Sequence, residues 1–179
     1  MLTRKLTRRI TQALTRKATE PGNGGAASFN PASLFTSGEQ GVWYDPSDFS
    51  TMFQDSAGTT PVTAVGQPVG KILDKSGRGN HASQSTAAAR PLLQQDGNGK
   101  YYLAFDGVDD KLQTVSSVDL SANDSVLSIV GIRKDTDSGT GIVVAFGDAT
   151  LPNDGTFFIS APAFSDPTVA FYSRGTALS

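Results

Sequence analysis

The sequence predicts an all-β protein: an antiparallel two-sheet sandwich preceded by an N-terminal helical arm. Three observations predict it. From Gly41 onward, short alternating or apolar runs are separated by turn residues, and no helical periodicity interrupts them. From Leu2 to Thr19, by contrast, apolar residues recur at every fourth position in a basic stretch without a single acid. Between the two lies "EPGNGGAASFNPAS", whose Gly, Pro and small polar residues read as a flexible linker within residues 20–40.

The arm, residues 1–19, places Leu2, Leu6, Ile10 and Leu14 four apart, with threonines beside them. On an α-helix each step of four advances about 40°, so the four side chains form one slanting stripe. Arg4, Lys5, Arg8, Arg9, Arg16 and Lys17 occupy much of the remaining surface. Five β-branched threonines weaken so short a helix, which is therefore expected to order against a partner.

Residues 41–179 are expected to form the sandwich. "GVWYDP", "VGKILD", "HASQS", "YYLAFDG", "KLQTV", "SVLSIVGIRK", "GIVVAFGD", "GTFFIS" and "TVAFYS" each read as a strand. "DKSGRGN", "QDGNGK", "DGVDD", "KDTDSGTG" and "LPNDG" read as the turns between them. Trp43, Ile72, Leu103, Phe105, Ile129, Val143, Phe146 and Phe157 are the expected core side chains. The last strand has no evident hairpin partner after it, so the sandwich is expected to be incomplete at its C-terminus.

Composition narrows the chemistry. The 179 residues include no Cys, which removes disulfides, thiolate metal sites and cysteine nucleophiles together. A single His, His81, cannot build a multi-histidine metal site, and no apolar run approaches the ~20 residues of a membrane span. The net charge of −2 conceals a split: six of the fifteen basic residues lie in the arm, and the first acid is Glu20. The rest carries nine basic residues against seventeen acids. A basic arm on an acidic body suggests that each meets a different partner.

Four pieces, "WYDPSD", "DKSGRGNHASQ", Arg90-Pro91 and "FDGVDDKL", occur in order between Val42 and Leu112. In that order and spacing they resemble the start of concanavalin A-like (laminin G-like) sandwich domains, particularly those of bacteriophage and prophage structural proteins. The resemblance covers about 70 residues, and its specificity lies in the four pieces together. It implies a two-sheet antiparallel jelly roll in a virion or cell-surface setting. It implies no particular ligand, because one fold hosts many functions. A host-surface glycan, met through loop Asp, Asn and aromatic groups, is the ligand class to test.

The individual residues have plainer readings too. In "DKSGRGNHA", Asp74 and Asn80 suit hydrogen bonds to nearby amides, and Gly77 and Gly79 suit positive φ, so a structural turn is favoured. Asp106, Asp109 and Asp110 could offer oxygens to a hard cation. Ca²⁺ needs about six to eight, though, and the run lacks an ion loop's alternation, so turn capping is favoured and no metal is expected. Trp43, with Tyr44 beside it, could stack on a sugar; at a strand start it is read as a core anchor. His81, with no nucleophile motif, reads as structural.

Catalysis is not expected. Glycan-cleaving relatives use two closely spaced carboxylates on a strand. Here the only glutamates are Glu20 and Glu39, and the aspartates fall in turns. No cofactor is expected either. For the arm, a transit peptide sits poorly beside a phage-like body. A membrane surface would want a broader apolar face with aromatics, so no membrane contact is expected. Phosphate neutralisation by six cations and docking of the Leu/Ile stripe into an acidic groove both remain. The stripe favours docking, through Leu2, Leu6, Ile10 and Leu14 with Arg8 and Arg9 at the rim. The expectation is thus a non-enzymatic virion component, attached by its arm to other virion proteins and homo-oligomeric within the particle. A bacterial surface lectin or adhesin is the alternative, with a glycan-cleaving enzyme behind it.

Overall fold

The computed structural model describes residues 29–119, 126–134, 141–147, 157–162 and 168–173. The arm, with Leu2, Leu6, Arg8, Arg9, Ile10 and Leu14, lies outside them. Among the described residues the protein is all-β, and its helix is confined to 3-10 turns at Pro31–Phe35, Phe49–Thr51 and Ala87–Ala89. None of the described helices is long and apolar enough to cross a membrane. The chain divides between Val126 and Leu127 into two compact units.

Among its described residues the first unit holds six strands: β1 (Met52–Phe53), β2 (Lys71–Ile72), β3 (Ala82–Ser83), β4 (Leu92–Gln95), β5 (Tyr101–Ala104) and β6 (Gln113–Thr114). One antiparallel sheet runs β1-β2-β3-β6, and a second is the β4-β5 hairpin. Met52, Ile72 and Ala82 stand side by side across the first sheet. In the second, Leu93 faces Leu103 and Gln95 faces Tyr101. Strand side chains alternate faces, so each sheet offers one apolar row. The rows meet in one core of Met52, Val62, Val69, Ile72, Ala82 and Leu93, with Tyr44, Phe49, Tyr101, Leu103 and Leu112 packed against it. Phe49 meets Tyr101 edge-on at 4.9 Å between ring centroids. Gly70 is buried where chain segments crowd: a Cβ there would lie 2.6 Å from the Gln54 carbonyl oxygen and 2.9 Å from Arg90 Nε.

The second unit holds β7 (Ile142–Phe146), β8 (Phe157–Ser160) and β9 (Ala170–Ser173), antiparallel in that order. Phe146 pairs with Phe157, and the register slips between Ile142 and Val144. Phe158 stacks on Tyr172, with centroids 4.7 Å apart. Val143, Phe146 and Phe157 are half-buried here.

Several sequence expectations are corrected. "GVWYDP" forms no ladder, because Trp43 N–H donates to the Asp74 carboxylate and its carbonyl accepts from Lys75 N–H. "SVLSIVGIRK" is not a strand over its described residues, 126–134, and Ile129 is 69% exposed rather than in the core. Phe105 is 53% exposed, since β5 ends at Ala104 and the following turn carries the ring outward. Trp43 is half-buried under Lys75, whose Nζ sits 4.7 Å from the ring centroid, and does not belong to the core cluster. The strands β1 and β4 were not expected.

Candidate functional site

The four motif pieces converge on two structural knots and one surface turn. The first knot centres on Asp74, which is 8% exposed two residues after β2. Its Oδ1 accepts from Trp43 N at 2.8 Å and Ser76 N at 2.9 Å; its Oδ2 accepts from Ser76 Oγ at 2.6 Å and Asn80 N at 3.0 Å. A nearly buried carboxylate is costly unless its lone pairs are filled, and here four donors fill them. Burial pushes its pKa up, but the bonds from Ser76, Trp43 and Asn80 outweigh that and hold it below the ordinary value. Gly77 and Gly79, at φ +82° and +76°, let the chain turn tightly enough to bring Asn80 back to Asp74.

The same loop grips the preceding segment. Asn80 Nδ2 donates to the Gly41 carbonyl, and Arg78 donates from Nε to Glu39 O and from Nη2 to Phe35 O. The 3-10 turn at Pro31–Phe35, capped by Asn30, thus hangs on a guanidinium more than forty residues away in sequence. Lys75 Nζ lies 2.9 Å from Asp45 Oδ2 and 2.8 Å from Asp48 Oδ2. Those carboxylates raise the Lys75 pKa, with Asp48 the larger influence. Tyr44 OH donates to Asn80 O, and burial, helped by the Asp74 charge, pushes its pKa far up. His81 Nδ1 accepts the Asp74 backbone N–H at 3.0 Å, a structural role for the only histidine.

The second knot is Arg90. Its Nε donates to Gln84 O, Nη1 to Gln54 O and Nη2 to Ser85 O. One planar fork thereby ties three carbonyls from two separate loops. Pro91 beside it is fully buried.

The surface turn is the acidic one. Asp106 Oδ1 accepts from Val108, Asp109 and Asp110 N–H groups, and Asp110 Oδ2 accepts from Asp106 N. Bonding to the Val108 amide leads in lowering the Asp106 pKa. Burial raises that of Asp110, and the neighbouring Asp106 and Asp109 charges add to the rise. The three carboxylates bring oxygens within 4.8 Å of one another, which is cation-like spacing. Two of them, however, are already committed to holding the turn. Millimolar CaCl₂ is therefore expected to move the melting temperature by less than about 1 °C, whereas a bound cation would give a saturable rise of several degrees.

Sequence reasoning found Asp74, Asn80, Gly77, Gly79 and the Asp106 turn. It missed the reach of Arg78 and Arg90 and the clamp of Lys75, because their partners are backbone carbonyls or distant acids that leave no local spacing signal. The structure brings Trp43, Tyr44, Asp74, Asn80 and His81 into one neighbourhood. Comparisons with protein-family models, with curated proteins and with solved structures returned no match.

Proposed function

We propose that this chain is a non-enzymatic structural component of a bacteriophage virion. Residues 1–19 attach it to other virion proteins, and a concanavalin A-like two-sheet module is displayed from that anchor. The observation that carries the reading is the ordered set "WYDPSD", "DKSGRGNHASQ", Arg90-Pro91 and "FDGVDDKL". Further support comes from what those residues do. Asp74 is used up on amides and a hydroxyl, Arg78 and Arg90 on carbonyls, and Asp106 on its own turn. Asp74 and Asp106 are each held as a charged acceptor with a lowered pKa rather than as the proton donor that glycan cleavage needs. Met52, Ile72, Ala82, Leu93 and Leu103, drawn from two sheets onto one core, are consistent with a two-layer jelly roll.

In this role the module works by number. Several copies in one particle bring weak contacts with a host-surface glycan up to useful avidity without a single strong site. The test is the protein content of purified particles. The chain is expected to co-purify with assembled particles at a fixed ratio to the main structural proteins. Its absence from particles would overturn the reading, and recovery only with the bacterial envelope would favour a cell-surface adhesin.

A further inference from the structure

One side of β5 has no ladder among the described residues. Asp96 N–H donates to the Lys100 carbonyl at 2.9 Å across the hairpin, which fixes the alternation of the β4-β5 bonds. Tyr102 and Ala104 therefore turn their backbone groups toward Gln94 and Leu92, and Tyr101 and Leu103 turn theirs away. The same alternation turns Leu93 to the far side of β4, where its N–H donates to Gln67 O and its carbonyl accepts from Gly66 N–H. A chain segment thus covers the outer side of β4. Among the described residues none covers β5, and the N–H and C=O groups of Tyr101 and Leu103 have no partner. An open edge of this kind invites another strand.

The flanks of that edge are unfinished too. Phe105, next in the alternation after Leu103, is exposed. Lys100 is exposed, and its ammonium has no partner among the described residues. Asp106 commits Oδ1 to its own turn and leaves Oδ2 free. Like charges at both ends would repel a second copy; opposite charges make the edge complementary to itself.

We infer that β5 is a homodimer edge, pairing antiparallel with β5 of a second copy about a two-fold axis at Leu103. Groups that face the edge must meet groups that face the edge, so the register can shift only in steps of two. Centring on Leu103 sets Leu103 opposite Leu103, Tyr101 opposite Phe105 and Lys100 opposite Asp106 of the second copy. The adjacent registers would set Lys100 opposite Ala104 or Val108 and pair no charge. The chosen one closes about six backbone hydrogen bonds and, by symmetry, a Lys100–Asp106 pair at each end. It also lays the Phe105 ring beside Tyr101 of the second copy, away from water. The pairing needs no other protein, so it stands apart from the virion assignment.

So short an edge gives weak association, on the order of 10–100 µM. Sedimentation equilibrium of the full-length chain is expected to show a reversible monomer–dimer equilibrium in that range. Lys100→Glu sets acid against acid at both ends. It is expected to weaken the dimer at least about tenfold, with the melting temperature in dilute solution unchanged. Cysteines read the register, since the chain has none of its own. Tyr102 falls opposite Ala104 of the second copy. Mixed Tyr102→Cys and Ala104→Cys proteins should therefore form the hetero-disulfide at least about tenfold faster than either forms its own. A chain monomeric up to about 500 µM overturns the proposal. So does a dimer that Lys100→Glu leaves intact, or equal rates of mixed and self-disulfide. Hydrogen exchange on the unmodified protein covers variants that misfold. The Tyr101 and Leu103 amides should slow severalfold from dilute to concentrated solution, and exchange independent of concentration would equally overturn it.

Discussion

Asp74→Asn is expected to destabilise the first unit by roughly 2–4 kcal/mol, since it weakens charge-assisted bonds and turns an acceptor into a donor opposite Asn80 N–H. For a unit of this size that lowers the melting temperature by about 10–20 °C. The wild-type carboxylate accepts four bonds at 2.6–3.0 Å; an amide can offer acceptors to only some of those donors. The effect should spread. Trp43, Ser76 and Asn80 lose a common acceptor, and the grip of Asn80 on Gly41 and of Arg78 on Phe35 and Glu39 depends on the same turn. The sign with pH follows from the lowered folded-state pKa. A carboxylate of that kind stabilises above its unfolded value, near 3.8, and the contribution is lost as pH falls through the folded value. Asp45 and Asp48, also lowered, act in the same acid window. Lys75, raised from 10.5, contributes fully at neutral pH and loses its share only in strong alkali. Thermal melts of both proteins from neutral to acid pH should therefore converge below about pH 4. A variant that melts with the wild type at pH 7 would remove Asp74 from its central place.

How much of this was legible in the sequence depends on where each residue's partners lie. β2, β3, β5 and β6 were readable because turn residues bound them. β1 was missed because two residues after a 3-10 turn carry no alternation, and β4 because Pro91 and the glutamines after Leu93 dilute its pattern. Trp43 looked like a strand residue, yet its backbone is satisfied by a side chain thirty-one residues away. Phe105 continues the inward alternation of Tyr101 and Leu103, but the Asp106 turn takes over before the ladder reaches it. For the site, short-range chemistry was visible: a Gly-punctuated turn with Asp and Asn at its ends. The long-range half was not, since a backbone carbonyl that receives an arginine has no signature of its own.

The second large effect concerns attachment. If the arm docks as proposed, it offers two chemistries, an apolar stripe and a set of arginines, that differ in magnitude. Burying Leu6 or Ile10 in a groove contributes roughly 1.5–3 kcal/mol each, whereas an arginine at an exposed rim adds about 0–1 kcal/mol, mostly as salt-sensitive steering. On the proposed docking, Leu6→Asp with Ile10→Asp would remove both apolar contributions and force two carboxylates toward the groove. That pair is expected to lower incorporation into particles by at least about a hundredfold, while the β-sheet signal and melting temperature of the body stay unchanged. Arg8→Ala with Arg9→Ala should lower incorporation only several-fold, with the loss shrinking at higher salt.

Phosphate binding by the arm would invert that order. Loss of two cations would then dominate, and affinity would fall steeply with added salt. The deciding measurement is the copy number per purified particle of the wild type and of both double variants, assembled side by side. A docked arm predicts near-complete loss for the Leu6/Ile10 pair and modest loss for the Arg8/Arg9 pair. Abolished incorporation of the arginine pair, with the Leu6/Ile10 pair retained, would contradict attachment through the apolar stripe.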